Sequence, residues 1–385
     1  MPSEIKYWLA LGKVKGIGNI TCKALIDEFN DPKAVFETAL KRLEQTPGIG
    51  RKLSQAIKGF NEWGWVENEI SLIEKHGVTF LTLRHTDFPN ALFSIPDPPP
   101  YLYVKGTLCK EDDNAIAIVG TRLPTPYGIA AAEKISREMA GLGVTIVSGM
   151  ARGIDSAAHR GAIAGKGRTI AVLGSGIDVA YPPENKKLYQ DIISNGAVVS
   201  EFPMGTPPLA ANFPQRNRII SGLTRGVLVV EASLKSGSLI TARLALDYGR
   251  DVFALPGSIT SSKSKGTNKL IKDGAKLVED ARDILEELSI FHTSGNSAVF
   301  PVTADLQGGG GGHKDIPPQR GKGELEIRLS SEEEKIINLL DEPCPIDSII
   351  QNTGFSASRV SSLLLDMELK GLIEQQAGKQ FIRRF

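Results

Sequence analysis

The sequence predicts an α/β protein: an extended Rossmann-like, mostly parallel sheet between an N-terminal helical domain and a C-terminal winged helix. Three observations carry that expectation. From about residue 96 to 288, short runs of Ile, Val, Ala and Leu alternate with helix-like stretches, the pattern of strands covered by helices on both faces. Before them, the first 90 or so residues read as short helices joined by glycine turns. After them, a glycine- and proline-rich tract precedes a helix, helix, helix, β-pair order. The expected domains are 1–95, 96–288 and 330–385, with 289–329 as a flexible linker, and 385 residues suffice for each domain to bury a core.

In the helical domain two similar turns recur, Val14-Lys15-Gly16-Ile17-Gly18 and Thr46-Pro47-Gly48-Ile49-Gly50, each ahead of an apolar-periodic helix. A Gly-Ile-Gly turn between helices turns its backbone amides outward and is similar to the helix-hairpin-helix modules that grip DNA phosphates. The other reading is that the glycines only pack short helices in a sterile-alpha-motif-like bundle. Lys15, Lys23, Arg51 and Lys52 supply the charge the first reading needs. The prolines between Pro96 and Pro100 mark the next boundary.

Beyond it, strands are expected at Tyr101 to Val104, Ala115 to Val119, Thr145 to Ser148, Thr169 to Leu173, Ala197 to Ser200, Gly226 to Val230, Asp251 to Ala254 and Lys276 to Val278. In such a sheet ligands sit beyond the carboxyl ends of the strands. From Ser289 onward, five consecutive glycines and paired prolines leave too little apolar surface to fold. The last domain is expected as helices Ser331 to Leu340, Ile346 to Gln351 and Ser356 to Leu369, then strands Leu372 to Gln375 and Gln380 to Arg383. Nine acidic side chains face six basic ones over 330–385, and Arg359 and Lys370 meet Asp366 and Glu368 on the expected recognition helix. That balance favours a protein contact or a weak duplex contact over groove reading.

A net charge of +1 confines any polyanion site to a local groove. Cys22, Cys109 and Cys344 form no CxxC pair, so neither a disulfide framework nor a structural zinc site is expected. No signal peptide and no apolar run near the ~20 residues of a membrane span are read, which predicts a cytoplasmic protein.

Residues 213–246 hold the strongest site signal. The apolar strand Gly226 to Val230 is followed by Lys235-Ser236-Gly237-Ser238 where a helix should begin, and amides at a helix start with a nearby Lys favour an anionic oxygen. Upstream, Pro214 suits the first turn of a helix carrying Arg216, Asn217 and Arg218. These two arginines lie about 200° apart around a helix, so one of them is expected to be structural. Phe213 either stacks on an unpaired base or staples the helix start. Gly120-Thr121-Arg122 and Gly149 to Asp155 repeat the pattern of glycine and arginine at a strand-to-helix turn, where Arg clamps phosphate oxygens. Arg122 is read as a phosphate ligand, and Arg152 either as another or as a partner of Asp155.

Other motifs fail. Gly174-Ser175-Gly176-Ile177-Asp178-Val179 lacks the last glycine of a dinucleotide fingerprint, and Gly161 to Gly167 lacks a spacer and the hydroxyl residue of a P-loop. Asp155 and His159 are read as a surface pair, and Glu231 as an ion-pair partner near Lys235, because no nucleophile sits in an activated turn. No cofactor, metal or catalytic residue is expected.

Taken in order, GTR at Gly120, SGMARGIDSAAHRGA from Ser148, GSGID from Gly174, YPPEN from Tyr181, SEFPMGTPP from Ser200, FPQRNRIISGL from Phe213, EASLKSGSLITARLA from Glu231 and LPGS from Leu255 resemble DNA processing protein A, also called Smf. The resemblance implies a cytoplasmic homodimer that binds single-stranded DNA and helps load the RecA recombinase onto it in natural transformation, without hydrolysing nucleotide. It places the family's phosphate-binding residues on Gly120, Thr121 and Arg122, its basic segment on Phe213 to Arg218, and its Lys-Ser-Gly-Ser turn on Lys235 to Ser238. Gly266-Thr267-Asn268 and Leu270-Ile271 resemble the motif near which members dimerise. The competing expectation is an enzyme that processes nucleotide phosphates on the same scaffold, akin to a phosphoribohydrolase.

Overall fold

The computed structural model describes residues 2–288 and, after them, 331–340, 344–356 and parts of 359–383. The described residues fall into two compact units, one before and one after residue 300. The expected linker, 289–329, and parts of the expected helix Ser356 to Leu369 lie outside the described residues.

The chain opens with six helices: α1 (Pro2–Lys13), α2 (Asn19–Phe29), α3 (Pro32–Glu37), α4 (Leu40–Glu44), α5 (Arg51–Lys58) and α6 (Trp63–Lys75). Gly16 and Gly48 take φ values of 94° and 80° at the two glycine turns, and Gly18 and Gly50 begin α2 and α5 without a side-chain cap. Leu9, Leu25, Leu43 and Ile57 are fully buried, each contributing about 1.5–3 kcal/mol of apolar burial.

The sheet has nine strands: β1 (Thr79–Thr82), β2 (Tyr101–Gly106), β3 (Ala115–Val119), β4 (Thr145–Ser148), β5 (Thr169–Val172), β6 (Gly196–Ser200), β7 (Gly226–Val229), β8 (Asp251–Ala254) and β9 (Lys276–Leu277). Their order is β1-β2-β6-β5-β4-β3-β7-β8-β9. The first two pairings are antiparallel and the rest parallel. Connecting helices are α7 (Asn90–Phe93), α8 (Pro126–Gly141), α9 (Ile154–Ala164), α10 (Lys186–Ser194), α11 (Asn212–Gly222), α12 (Ser238–Asp247), α13 (Lys265–Lys272) and α14 (Ala281–Glu287). Alternation along the strands splits the core. Ile116, Ile118, Ile146 and Leu228 pack with α8, α9 and α14, while Ala117, Val119, Val147 and Val227 pack with α11 and α12.

Two findings depart from the expected layout. Thr79–Thr82 was expected to be helical but pairs with β2, because Phe80 and Leu81 find apolar cover on the sheet edge. The helical segment also shares one continuous apolar cluster with the sheet, running from Trp8 to Val252, so residues 1–95 and 96–288 form one compact unit.

In the second unit, α15 (Ser331–Ile337) and α16 (Ile346–Thr353) pack with the pair β11 (Ile373–Gln376) and β12 (Gln380–Arg383) around Ile336, Ile349, Val360 and Phe381. A short β10 (Cys344–Pro345), which the sequence reading did not include, adds to β12.

Candidate nucleic-acid interface

From β3 the chain steps through β4 and β5 to β6, then returns through α11 to β7 on the other side of β3. The loops leaving β3 and β7 therefore diverge, which opens a crevice at the topological switch point where α/β sheets bind ligands. Backbone bonds hold the two loops together at their base. Val230 N donates to Val119 O (3.1 Å) and Thr121 N donates to Glu231 O (2.8 Å).

A cavity of about 320 Å³ occupies this crevice and brings together Gly120 to Arg122, Phe213, Arg216 and Asn217, and Ser236 to Ser238. These come from three loops and helix starts far apart in sequence. Arg122 and Lys235 are exposed, and neither makes an ion pair among the described residues. Arg122 lies over the Phe213 ring, its guanidinium carbon 5.0 Å from the centroid, and Arg216 is 5.9 Å from the same ring. Phe213 is half-buried with both guanidinium groups near its ring and Tyr181 beside it at 5.9 Å. Ser236 and Ser238 bond to each other through their hydroxyls (2.8 Å), which shapes the uncapped start of α12.

Arg216 forms the floor at 3% exposure. Its Nη1 donates to the carbonyls of Gly149 (2.7 Å) and Val172, and its Nε donates to Asn217 Oδ1 (3.3 Å). Its Nη2 makes no hydrogen bond among the described residues, although the side chain lines the crevice. A Cβ on residue 149 would overlap the guanidinium, so the glycine read as a phosphate contact is instead what admits Arg216. Burial pulls the Arg216 pKa down to about 10 against the raising charge of Asp155, and the group stays cationic at neutral pH. Burial likewise raises the Asp155 carboxyl, opposed first by Arg216.

Three expected site residues lie apart from this cluster. Arg218, 6% exposed, faces the opposite side of α11, where it pairs with Asp97 (3.4 Å) and Glu201. Both arginines of α11 are therefore buried, each with its own partners. Arg152 is exposed and pairs with Glu184, not with Asp155 as one reading had it. Lys235 stands at the rim beside Ser236, outside the lining itself.

A sequence profile for DNA recombination-mediator protein A matches residues 79–289, one for the DprA winged helix domain matches 322–379, and one for a SAM-like helix-hairpin-helix tandem matches 9–58. Protein Smf of Synechocystis is 37% identical over 99% of both chains. The chain belongs to the DNA recombination-mediator protein A family. Its fold is that of DNA processing protein A from Streptococcus pneumoniae, with a TM-score of 0.65 at 35% identity over 73% of this chain and 97% of that one. It is also similar to DNA processing protein A from Helicobacter pylori, whose structure describes a single-stranded DNA binding mode, with a TM-score of 0.50 at 35% identity over 55% of this chain and 96% of that one.

Several residues of this DNA recombination-mediator protein A relative serve ends that the sequence reading did not assign. Glu231 pairs with no lysine among the described residues. Its carboxylate accepts from Thr125 N (2.8 Å) and Thr125 Oγ1 (2.5 Å), which fixes the start of α8. Gly161, Gly165 and Gly167 sit where any Cβ would strike the backbone of α8, so their spacing serves helix packing. After Gly176 no α-helix starts until Lys186, and Asp178 instead accepts from Gly205 N (2.8 Å). Asp155 and His159, expected on the surface, are both buried. The run of small residues through α9, Ser156, Ala157, Ala158, Gly161 and Ala162, was the available signal that this helix is enclosed.

His159 Nδ1 bonds Thr169 Oγ1 (2.7 Å), and its Nε2 has no partner among the described residues. Burial, with Arg216 and Arg160 adding, lowers its pKa from 6.5 to about 3. The unfolded chain then takes up a proton that the folded chain refuses, so this contribution is complete above 6.5 and is lost as pH falls toward 3. Between pH 7 and 5 the wild type should lose about 2 kcal/mol more stability than a His159→Gln variant. Urea titrations at the two pH values measure it, and equal losses would contradict the burial of a neutral imidazole.

Among the described residues no helix is long and apolar enough to cross a membrane, and no group of three or more His, Cys, Asp or Glu residues could hold a metal.

Proposed function

We propose that this chain binds single-stranded DNA through its phosphate backbone in the crevice between the β3 and β7 loops, and loads the RecA recombinase onto it in natural transformation and recombination. It acts as a cytoplasmic homodimer and catalyses no reaction. One observation carries the binding reading: at the topological switch point Arg122 and the open Nη2 of Arg216 line the crevice, exposed Lys235 stands at its rim, and no carboxylate is bonded to any of these donors among the described residues. Three donors spread along an open crevice suit a chain of phosphates, because such contacts give affinity without sequence readout. Support for recombinase loading is family membership and the family's description as a recombination mediator. Support for the homodimer is the exposed apolar pair Ile259 and Leu277, the latter on edge strand β9 beside α13.

Anisotropy titrations with labelled oligothymidine and with duplex of equal length test the binding. Tight, salt-sensitive binding to the single strand and much weaker binding to the duplex is the expected result; equal affinities would contradict it. An enzyme acting on nucleotide phosphates needs a carboxylate placed for the chemistry, and the one lining the crevice, Asp155, is 6% exposed with no nucleophile or base bonded to it among the described residues. Nucleoside monophosphates incubated with the protein should therefore release no free base, and sustained turnover would overturn the non-enzymatic reading. RecA filament assembly on oligothymidine, followed with and without the protein, tests the loading step.

A further inference from the structure

A cavity of about 840 Å³ lies across α11 from the crevice, beside the first glycine turn of the helical segment. Pro214 lines both spaces, so the first turn of α11 is the ridge between them, with Arg216 below one side and Arg218 below the other. The walls are apolar, from Ile17, Ile20, Pro100 and Pro203, and Ile20 is 64% exposed at the rim. The floor is charged. Arg218 meets both Asp97 and Glu201, so two carboxylates face one guanidinium and the balance repels phosphate.

The acceptors of that floor are not all used. Asp97 Oδ1 accepts from Tyr248 (3.3 Å) and its Oδ2 faces Arg218, while Glu201 Oε2 accepts from Arg218 and from Asn19 (3.5 Å). Glu201 Oε1 accepts nothing among the described residues, although its side chain is only 11% exposed. A carboxylate oxygen at the bottom of an apolar-walled cavity calls for an N–H donor carried on a flat apolar body. Phosphates belong to the neighbouring crevice, so the body that fits is a base hanging from the same strand.

We propose that this cavity receives an unpaired, amino-bearing nucleobase of the DNA strand held in the crevice, its exocyclic amino group donating to Glu201 Oε1. The inference rests on the single-stranded DNA reading of the crevice and adds a base preference to backbone binding. Carboxylates accept readily from the cytosine amino group, whereas thymine offers one N–H between two carbonyls. In a duplex the base is stacked between its neighbours and cannot enter, so the cavity also discriminates against paired DNA.

The test uses the full chain and labelled oligodeoxycytidine and oligothymidine of equal length at one salt concentration. The wild type should bind oligodeoxycytidine about tenfold more tightly. Glu201→Gln should bring that ratio close to one. Because Glu201 also holds Arg218, Ile20→Asp at the exposed rim serves as the second variant and should weaken oligodeoxycytidine binding about tenfold while leaving the fold unchanged. Equal wild-type affinities, or a ratio that survives in both variants, overturns the proposal. An Arg122→Ala, Lys235→Ala double variant separates the two levels. If it binds like wild type, the crevice reading itself fails; if it binds weakly while the base ratio ignores Glu201 and Ile20, only this inference fails.

Discussion

Replacing Arg122 and Lys235 together with Ala should lower the affinity for oligothymidine about 100-fold while leaving the unfolding free energy within about 0.5 kcal/mol of wild type. Both side chains are exposed and free of ion pairs among the described residues, so the fold asks little of them. The contact of Arg122 with Phe213 at an exposed site is worth about 0.5–1 kcal/mol. Their donors are instead available to phosphate. Removing two phosphate contacts to a single strand should also flatten the dependence of log affinity on log salt by about 1.4. Titrations at several salt concentrations read both quantities, and an unchanged slope would show that neither residue neutralises a phosphate.

Arg216→Ala should give the opposite pattern, a loss of about 3–5 kcal/mol in stability together with the loss of binding. Its guanidinium satisfies two buried carbonyls, those of Gly149 and Val172, and faces the charge of buried Asp155. Truncation leaves all three without that partner at the floor of the crevice. Arg216→Lys keeps the charge but loses the rigid fork that reaches both carbonyls, so it should fall between wild type and Ala. Urea unfolding at neutral pH measures the series. Wild-type stability in Arg216→Ala would mean that the carbonyls of Gly149 and Val172 find other donors.

The contrast between these variants follows from a distinction that the sequence reading drew only halfway. The strands were legible because β3 to β8 are buried on both faces and read as unbroken apolar runs bounded by glycines and charges. The strand at Thr79–Thr82 was not, since four residues at an antiparallel edge carry too little pattern. The crevice loops were legible from composition, Gly120 to Arg122 and Lys235 to Ser238 above all. Which charges are buried was not, because burial of Arg216, Arg218 and Asp155 depends on partners from 17 to 121 residues away in the chain. Helix geometry did separate the two arginines of α11 onto opposite faces, yet it had no means of showing that Asp97 and Glu201 wait for the second. Glycine spacing excluded a nucleotide loop at Gly161 to Gly167 but did not reveal what those glycines do, which is to form a packing seam against α8.

A structure of the protein with a short oligothymidine tests the central claim most directly. Consecutive phosphates should lie along the β3–β7 crevice, with oxygens within hydrogen-bond distance of Arg122 and Arg216 Nη2 and with Lys235 at the rim. A strand bound elsewhere, with the crevice occupied by solvent alone, would contradict it.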